Sequence, residues 1–459
     1  MNRIGITLIF LLISLATVKC QPTSGKKTLQ SLPPEVVESI EKRIANGVTP
    51  SMAIALIDSS GTKFYHFGNT SKDGKAVDQH TIYEIGSISK VFTGILLAQQ
   101  VIDGDLNLDD EINDYLPEGI KSTVMGDAAI TFGNLTDHTS GYPRMPDNFT
   151  PANPNNPFAD YTEDQMYAFI LGYEPTREAG AAYEYSNFAQ GLLGHLLALN
   201  KNSTYEDLLV QTITDPLNME NTRIELTEGM REHLALGHNA GTVVENWDIP
   251  TLAGAGAIRS STSDMARFIA ANLGYIKSPL KEAMALSHKV RHNKAGDMSV
   301  AMGWHIKKGA EGDVIWHNGG TGGYRTFAGF VKETGVGLVL LTNSSSSSDD
   351  IGFYLLDPGA KLAEVKPKGQ AVDVPESILQ QYVGVYELAP EFKITVTQEG
   401  KELYGQATGQ PKFQMFAENE TLFYLTVVEA KISFQRKNGE VESLTLFQGG
   451  QEMLGKKVE

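Results

Sequence analysis

Ser87-Ile88-Ser89-Lys90 lies near the start of the stretch Glu84–Ile102, which holds no proline and no glycine beyond Gly86 and Gly94. The stretch is apolar on several sides and reads as a buried helix. On a helix, positions i and i+3 share one face, so Ser87 Oγ and Lys90 Nζ can meet. A serine hydroxyl is a poor nucleophile until a base takes its proton. A lysine held among apolar side chains loses affinity for its proton and can serve as that base or relay. Alone, an S-x-x-K is common in chains and marks an ordinary helix start as readily as a nucleophile.

Around this stretch the pattern is mixed α and β. Upstream, Val36, Val37, Ile40 and Ile44 recur at helical spacing from Pro34. Ser51–Ile57 and Thr62–Phe67 read as a hairpin across Asp58-Ser59-Ser60-Gly61. Downstream comes a long region rich in Pro, Asn, Gly and Asp, with surface loops over Gly141–Phe158 and helices over Phe188–Leu199 and Asp264–Leu273. Val314–Trp316, Arg325–Val331 and Val336–Leu341 read as consecutive strands. Ser344–Ser348 with Asp349-Asp350 reads as a polar loop. The order implies an α/β sandwich with an inserted helical subdomain, over residues 34–365. A polar break at 366–373 reads as a linker, and 374–459, with alternating Phe392, Ile394 and Val396, as a small all-β domain.

Two further short motifs bear on chemistry. In Tyr185-Ser186-Asn187, a phenol near a cationic lysine can accept or give a proton, and the Asn amide can bind a substrate carbonyl and tether the lysine. In His317-Asn318-Gly319-Gly320, a strand ending in small residues lets a substrate backbone lie alongside and offers an N–H for an oxyanion. Either is also an ordinary loop or turn. No Lys-Ser/Thr follows the glycines as a phosphate loop requires. There is no G-x-S-x-G elbow. His288 and His292 stand at metal-pair spacing, but no third ligand is evident, and a surface helix is the expected context.

In this order and at these spacings the motifs resemble those of the β-lactamase and D-alanyl-D-alanine peptidase superfamily, in its class C-like branch: S-x-x-K, then Y-x-N, then K-T-G or H-x-G. Gly104-Asp105-Leu106-Asn107-Leu108-Asp109-Asp110, His138-Thr139-Ser140-Gly141-Tyr142-Pro143, Arg259–Met265 and Met302-Gly303-Trp304 also fit, so the resemblance spans about residues 34–350. It implies an antiparallel sheet flanked by helices with a helical subdomain, and a β-rich domain appended. It further implies that Ser87 attacks, that Lys90 and Tyr185 shuttle protons, and that Asn187, His317, Asn318 and Gly319 line the substrate. The backbone N–H groups of Ser87 and Gly320 would form the oxyanion hole. No metal or other cofactor is implied. Two departures stand out: His317 and Asn318 replace the usual Lys and Thr, and Ala179 replaces a usual proline. Which of Lys90 and Tyr185 is the base stays open.

The expected activity is acyl transfer to water from a small peptide, amide or ester, with D-amino-acid peptides leading. A carboxylesterase or β-lactamase is the alternative within enzymes, and a slowly acylated penicillin-binding sensor the alternative outside them. The chain of 459 residues has a formal net charge of −17 and no basic cluster, which argues against nucleic acid and anionic membrane surfaces as partners. Arg3 followed by an apolar run to Val18 reads as a secretory signal over residues 1–20, too short to span a membrane, with a flexible leader over 21–33. A periplasmic or secreted protein is expected, with lipidation at Cys20 the rival. Cys20 is the sole cysteine, so the mature chain would hold no disulfide.

Overall fold

The computed structural model describes residues 31–458 except 48, 240, 294–296, 366–371, 390–391, 411, 426–429, 438–439 and 449–450. The expected signal segment, and all but the last residues of the leader, lie outside this range. So does most of the expected linker.

The core is an antiparallel sheet of eight strands. Its spatial order is Gly61–Gly68, Ser51–Asp58, Val336–Thr342, Arg325–Val331, Gly312–Gly320, His305–Gly309, Met298–Val300 and His292–Asn293. Period-two alternation assigns each side chain to a face. Met52, Ile54, Leu56, Val314, Trp316, Phe327, Leu338 and Leu340 pack with Val36 and Ile40 of the Pro34–Ala45 helix and Ile351 and Leu355 of the Asp349–Leu356 helix. Ala53, Ala55, Ile57, Ile315, Ala328, Phe330, Val339 and Leu341 face the larger core on the other side. That core contains Ser89–Asp103, Asn187–Asn200 and Thr262–Asn272, helices whose buried faces carry the expected apolar runs. Leu32, placed by sequence at the end of a flexible leader, is buried with Val36.

Three local expectations are revised. The stretch 84–102 is not one helix: Ile82–Glu84 is a short strand, Gly86–Ile88 a 3-10 turn, and the α-helix begins at Ser89. Gly86 causes the break, because its φ of 53° lies in the left-handed region that side chains with a Cβ avoid. Asp349 and Asp350 are not loop but the first turn of a helix, where carboxylates favour the positive dipole end. His288 and His292 are on no surface helix. His288 ends the Lys281–Ser287 helix, is buried against Trp304 and Phe330, and bonds Asn272 Oδ1 at 2.8 Å, while His292 is in an edge strand.

Beyond the break, eight antiparallel strands from Gly384–Ala389 to Gln451–Lys457 close into a barrel. Its inward positions, including Tyr386, Ile394, Val396, Leu403, Phe423, Ile432, Phe434 and Leu444, fill the interior. One helix, Glu376–Tyr382, adds Leu379 and Tyr382 to that core. No helix among the described residues is long and apolar enough to cross a membrane.

Candidate active site

Ser87 sits in the 3-10 turn that feeds the Ser89–Asp103 helix. That turn is pressed against the 312–320 strand. A Cβ on Gly86 would stand 2.7 Å from Gly320 N, and one on Gly319 would collide with Ile85 O. Thr326 Oγ1, opposite Gly319 in register, donates to the same Ile85 carbonyl at 2.9 Å. The two glycines are therefore what lets the nucleophile's turn and the strand approach backbone to backbone.

Lys90, the second residue of that helix, comes about one turn after Ser87 with its side chain wholly buried. Its Nζ lies 3.0 Å from Ser87 Oγ, 2.9 Å from Asn187 Oδ1 and 2.6 Å from Ala255 O. Ala255 reaches it because Gly191, Gly194 and Gly254 let the Ala253–Gly256 turn pack closely on the 187–200 helix. Burial, with the Arg144 guanidinium as a second cause, holds the Lys90 amine well below the ordinary lysine range.

Tyr185 precedes the N-cap of the 187–200 helix. Ser186, the cap, accepts from Ala189 N at 2.9 Å and donates to Pro143 O at 2.7 Å. This pins the loop at 138–145 to the helix start. His138, in the left-handed region at φ 63°, accepts from Ser186 N through Nδ1 at 3.1 Å and lays its ring 4.6 Å from that of Tyr185. Tyr185 is hydrogen-bonded to the Ser87 hydroxyl, and Lys90 Nζ stands 4.9 Å from its ring centroid. Burial raises the phenol to about 12, although the Ser87 hydroxyl and the Arg144 guanidinium act to lower it.

On the 312–320 strand, alternation sends His317 toward Lys90 and Asn318 to the opposite face. His317 is buried, with its ring 4.6 Å from His305 and 6.3 Å from Tyr185. Its Nδ1 meets Asn318 O at 2.5 Å; a carbonyl only accepts, so Nδ1 carries the proton and Nε2 the lone pair. Nε2 has no partner among the described residues. Burial first, then His305 and Lys90, hold the imidazole well below the usual histidine range, so it is neutral. Asn318 Nδ2 donates to Asp349 Oδ2 at 2.6 Å on the other face.

The structure therefore gathers Ser87, Lys90, Tyr185, Asn187, His317, Gly319 and Gly320 into one cleft, and turns the Asn318 side chain away from it. Three members were not singled out by the motifs: His305, the Ala255 carbonyl and Arg144. Arg144 directly follows the His138–Pro143 loop, which is the one signal that could have found it. Among the described residues no three His, Cys, Asp or Glu side chains converge as a metal cage would.

Residues 36–357 match the family described as Beta-lactamase, and residues 368–457 match a domain of unknown function, DUF3471. The chain is 28% identical over 349 residues to a β-lactamase of Pseudomonas fluorescens, covering 68% of this chain and 93% of that one. It is 27% identical over 436 residues to penicillin-binding protein 4* of Bacillus subtilis, covering 86% and 93%. Among solved structures, a β-lactamase/D-alanine carboxypeptidase from Yersinia pestis superposes with a TM-score of 0.60 at 23% identity, over 68% of this chain and 92% of that one, a likeness of fold.

Proposed function

The chain belongs to the Beta-lactamase family, whose members are serine hydrolases of the penicillin-binding and β-lactamase type, and from that premise we propose that it cleaves an amide or ester through an acyl intermediate on Ser87, with D-amino-acid peptides as the leading substrates.

The observation that carries this reading is the set of partners around Lys90 Nζ. A neutral amine has two N–H donors and one lone pair. Asn187 Oδ1 and Ala255 O are acceptors only and take both donors. The lone pair is left for the Ser87 O–H, 3.0 Å away. Burial holds the amine well below the ordinary lysine range, which favours the neutral form that a base needs, and on this ground we assign Lys90 as the base. As Ser87 Oγ bonds to the carbonyl carbon, its proton passes to Lys90 and the carbonyl electrons move onto oxygen. The N–H groups of Ser87 and Gly320 receive that oxyanion; removing one such donor typically costs on the order of a hundred- to a thousandfold. Tyr185, a neutral phenol at ordinary pH, gives its proton to the departing nitrogen or oxygen and regains one from Lys90. Water then repeats the sequence in reverse. Asn187 Nδ2, directed to the Met145 side at 3.8 Å from its sulfur, binds a carbonyl in the acyl portion of the substrate.

A second reading, carboxylesterase, draws support from the third motif. His317 brings no charge, and the Asn318 amide is engaged by Asp349, so nothing there demands a substrate carboxylate. The apolar run behind Arg3 supports export, and we place the enzyme in the periplasm or outside the cell.

The test is Ser87→Ala against wild type, with labelling by a fluorophosphonate and turnover of D-Ala-D-Ala peptides, D-amino-acid amides, short esters and a chromogenic cephalosporin. Loss of both labelling and turnover in a folded variant is expected. Turnover near wild type in that variant would overturn the reading, and stable labelling without any turnover by wild type would favour a sensor.

A further inference from the structure

Among the described residues, the Lys90 side chain is wholly buried beside Ser87 and the third motif lacks its usual lysine, while Arg144 presents an exposed guanidinium at the cleft. Its guanidinium carbon lies 5.2 Å from the centroid of the Tyr185 ring. It acts electrostatically on Tyr185, Tyr183 and Lys90 together. No carboxylate pairs with it among the described residues, and the residue is exposed.

The backbone beneath this free side chain is held firmly. Arg144 O accepts from Asn187 N at 3.0 Å and from Phe188 N at 3.3 Å. Pro143 O accepts from Ser186 Oγ, and Met145 Sδ faces Asn187 Nδ2. A cation is thus mounted on the loop residue whose backbone is bonded to the start of the Asn187–Asn200 helix, with its guanidinium beside the Tyr185 ring. The chain's net charge of −17 repels anions in general, so a single unpaired guanidinium at the cleft is a local exception. Guanidinium is also the side chain whose forked donors match a carboxylate.

We propose that Arg144 reads a carboxylate on the acyl portion of the substrate, making the enzyme selective for acyl donors that carry a negative charge on that side. This rests on the acyl-Ser87 reading and on Asn187 binding the acyl carbonyl. The anion is recognised from the helical side, whereas a K-T-G enzyme recognises one from the strand.

The test compares N-succinyl- and N-butyryl-D-alanine p-nitroanilides, which differ in a terminal carboxylate against a methyl group. Wild type should favour the succinyl substrate in kcat/KM by about tenfold or more, the scale of one charge-assisted pair at a partly exposed site. Arg144→Gln should erase that ratio, and Arg144→Lys should restore part of it. Three results would overturn the proposal: no succinyl preference in wild type that still labels at Ser87, an unchanged ratio in Arg144→Gln, or equal losses on both substrates with a shifted pH profile. The last would mean that Arg144 acts on Tyr185 instead. Failure of wild type to label at Ser87 would instead remove the reading beneath it.

Discussion

Asn187 Oδ1 lies 2.9 Å from Lys90 Nζ, and no carboxylate stands among the bonded partners of that amine. A neutral carbonyl orients Lys90 while favouring its protonated form much less than a carboxylate would. Asn187→Asp places a negative charge there, which favours the ammonium and raises the lysine pKa. Activity should drop at neutral pH by about a hundredfold and recover as pH rises, because the basic form returns only above the raised pKa. A pH–kcat/KM profile of the variant checks this. A profile lowered uniformly, with no alkaline recovery, would show that Asn187 acts on substrate alone.

Substrates that differ only in a free or amidated C-terminal D-alanine should be hydrolysed at similar rates from about pH 6 to about pH 8. His317 is held neutral across that range, and Asn318 donates to Asp349. If His317 became imidazolium, activity on the free acid would climb toward pH 6, and its lowered pKa argues against such a climb. A free-acid preference near a hundredfold at the upper end, about 2.7 kcal/mol, would require a cation that the strand does not hold.

His288 makes the fold acid-sensitive. Burial lowers its pKa to about 3. An unfolded histidine takes a proton near pH 6.5, so between those values the unfolded state binds a proton that the folded state refuses. The stability from the neutral ring is full above about pH 6.5 and is lost at up to about 1.4 kcal/mol per pH unit below it. His317 adds in the same direction. His288→Gln keeps an N–H for Asn272 Oδ1. Urea unfolding at several pH values should give a slope shallower by about one proton for that variant; an unchanged slope would refute the assignment.

A chain ending at Val365 should fold and label at Ser87 with a melting temperature close to that of the intact protein. Among the described residues, the two apolar clusters of the hydrolase draw on none beyond Leu362, and the barrel cluster begins at Val374. Thermal melts and labelling of the shortened chain decide the matter, and an insoluble or inert product would show that the tail supports the site.

Much of this was legible because the signals are local and periodic. Strand alternation marked the hairpin and the central strands, and three motifs marked most of the cleft. What escaped depends on distant chain. Arg144 looks like any loop arginine until the 187–200 helix fastens its backbone beside Tyr185. His288 looks solvent-facing until Trp304 and Phe330 close over it. Asn318 was readable in principle: Trp316 and Asn318 share one parity and His317 the other, so a strand cannot send both motif residues to one cleft. Gly86 likewise announced a break in a stretch that hydrophobicity alone joined into one helix.

The strand Ser51–Asp58 takes its second neighbour from the far end of the domain, pairing Met52 with Thr342, and Ser51 Oγ donates to Asn343 across 292 positions. During synthesis the nucleophile, its base and the tyrosine all emerge well before Val336–Thr342, the strand that joins Ser51–Asp58 to the Arg325–Val331 and Gly312–Gly320 pair. Such distant pairing makes closure of the sheet slow, since loop entropy is lost before contacts reward it. The nascent chain is therefore born inert. A fragment cut short of Thr342 lacks the strand that joins the two halves of the sheet and should fail to label at Ser87, however complete its motifs.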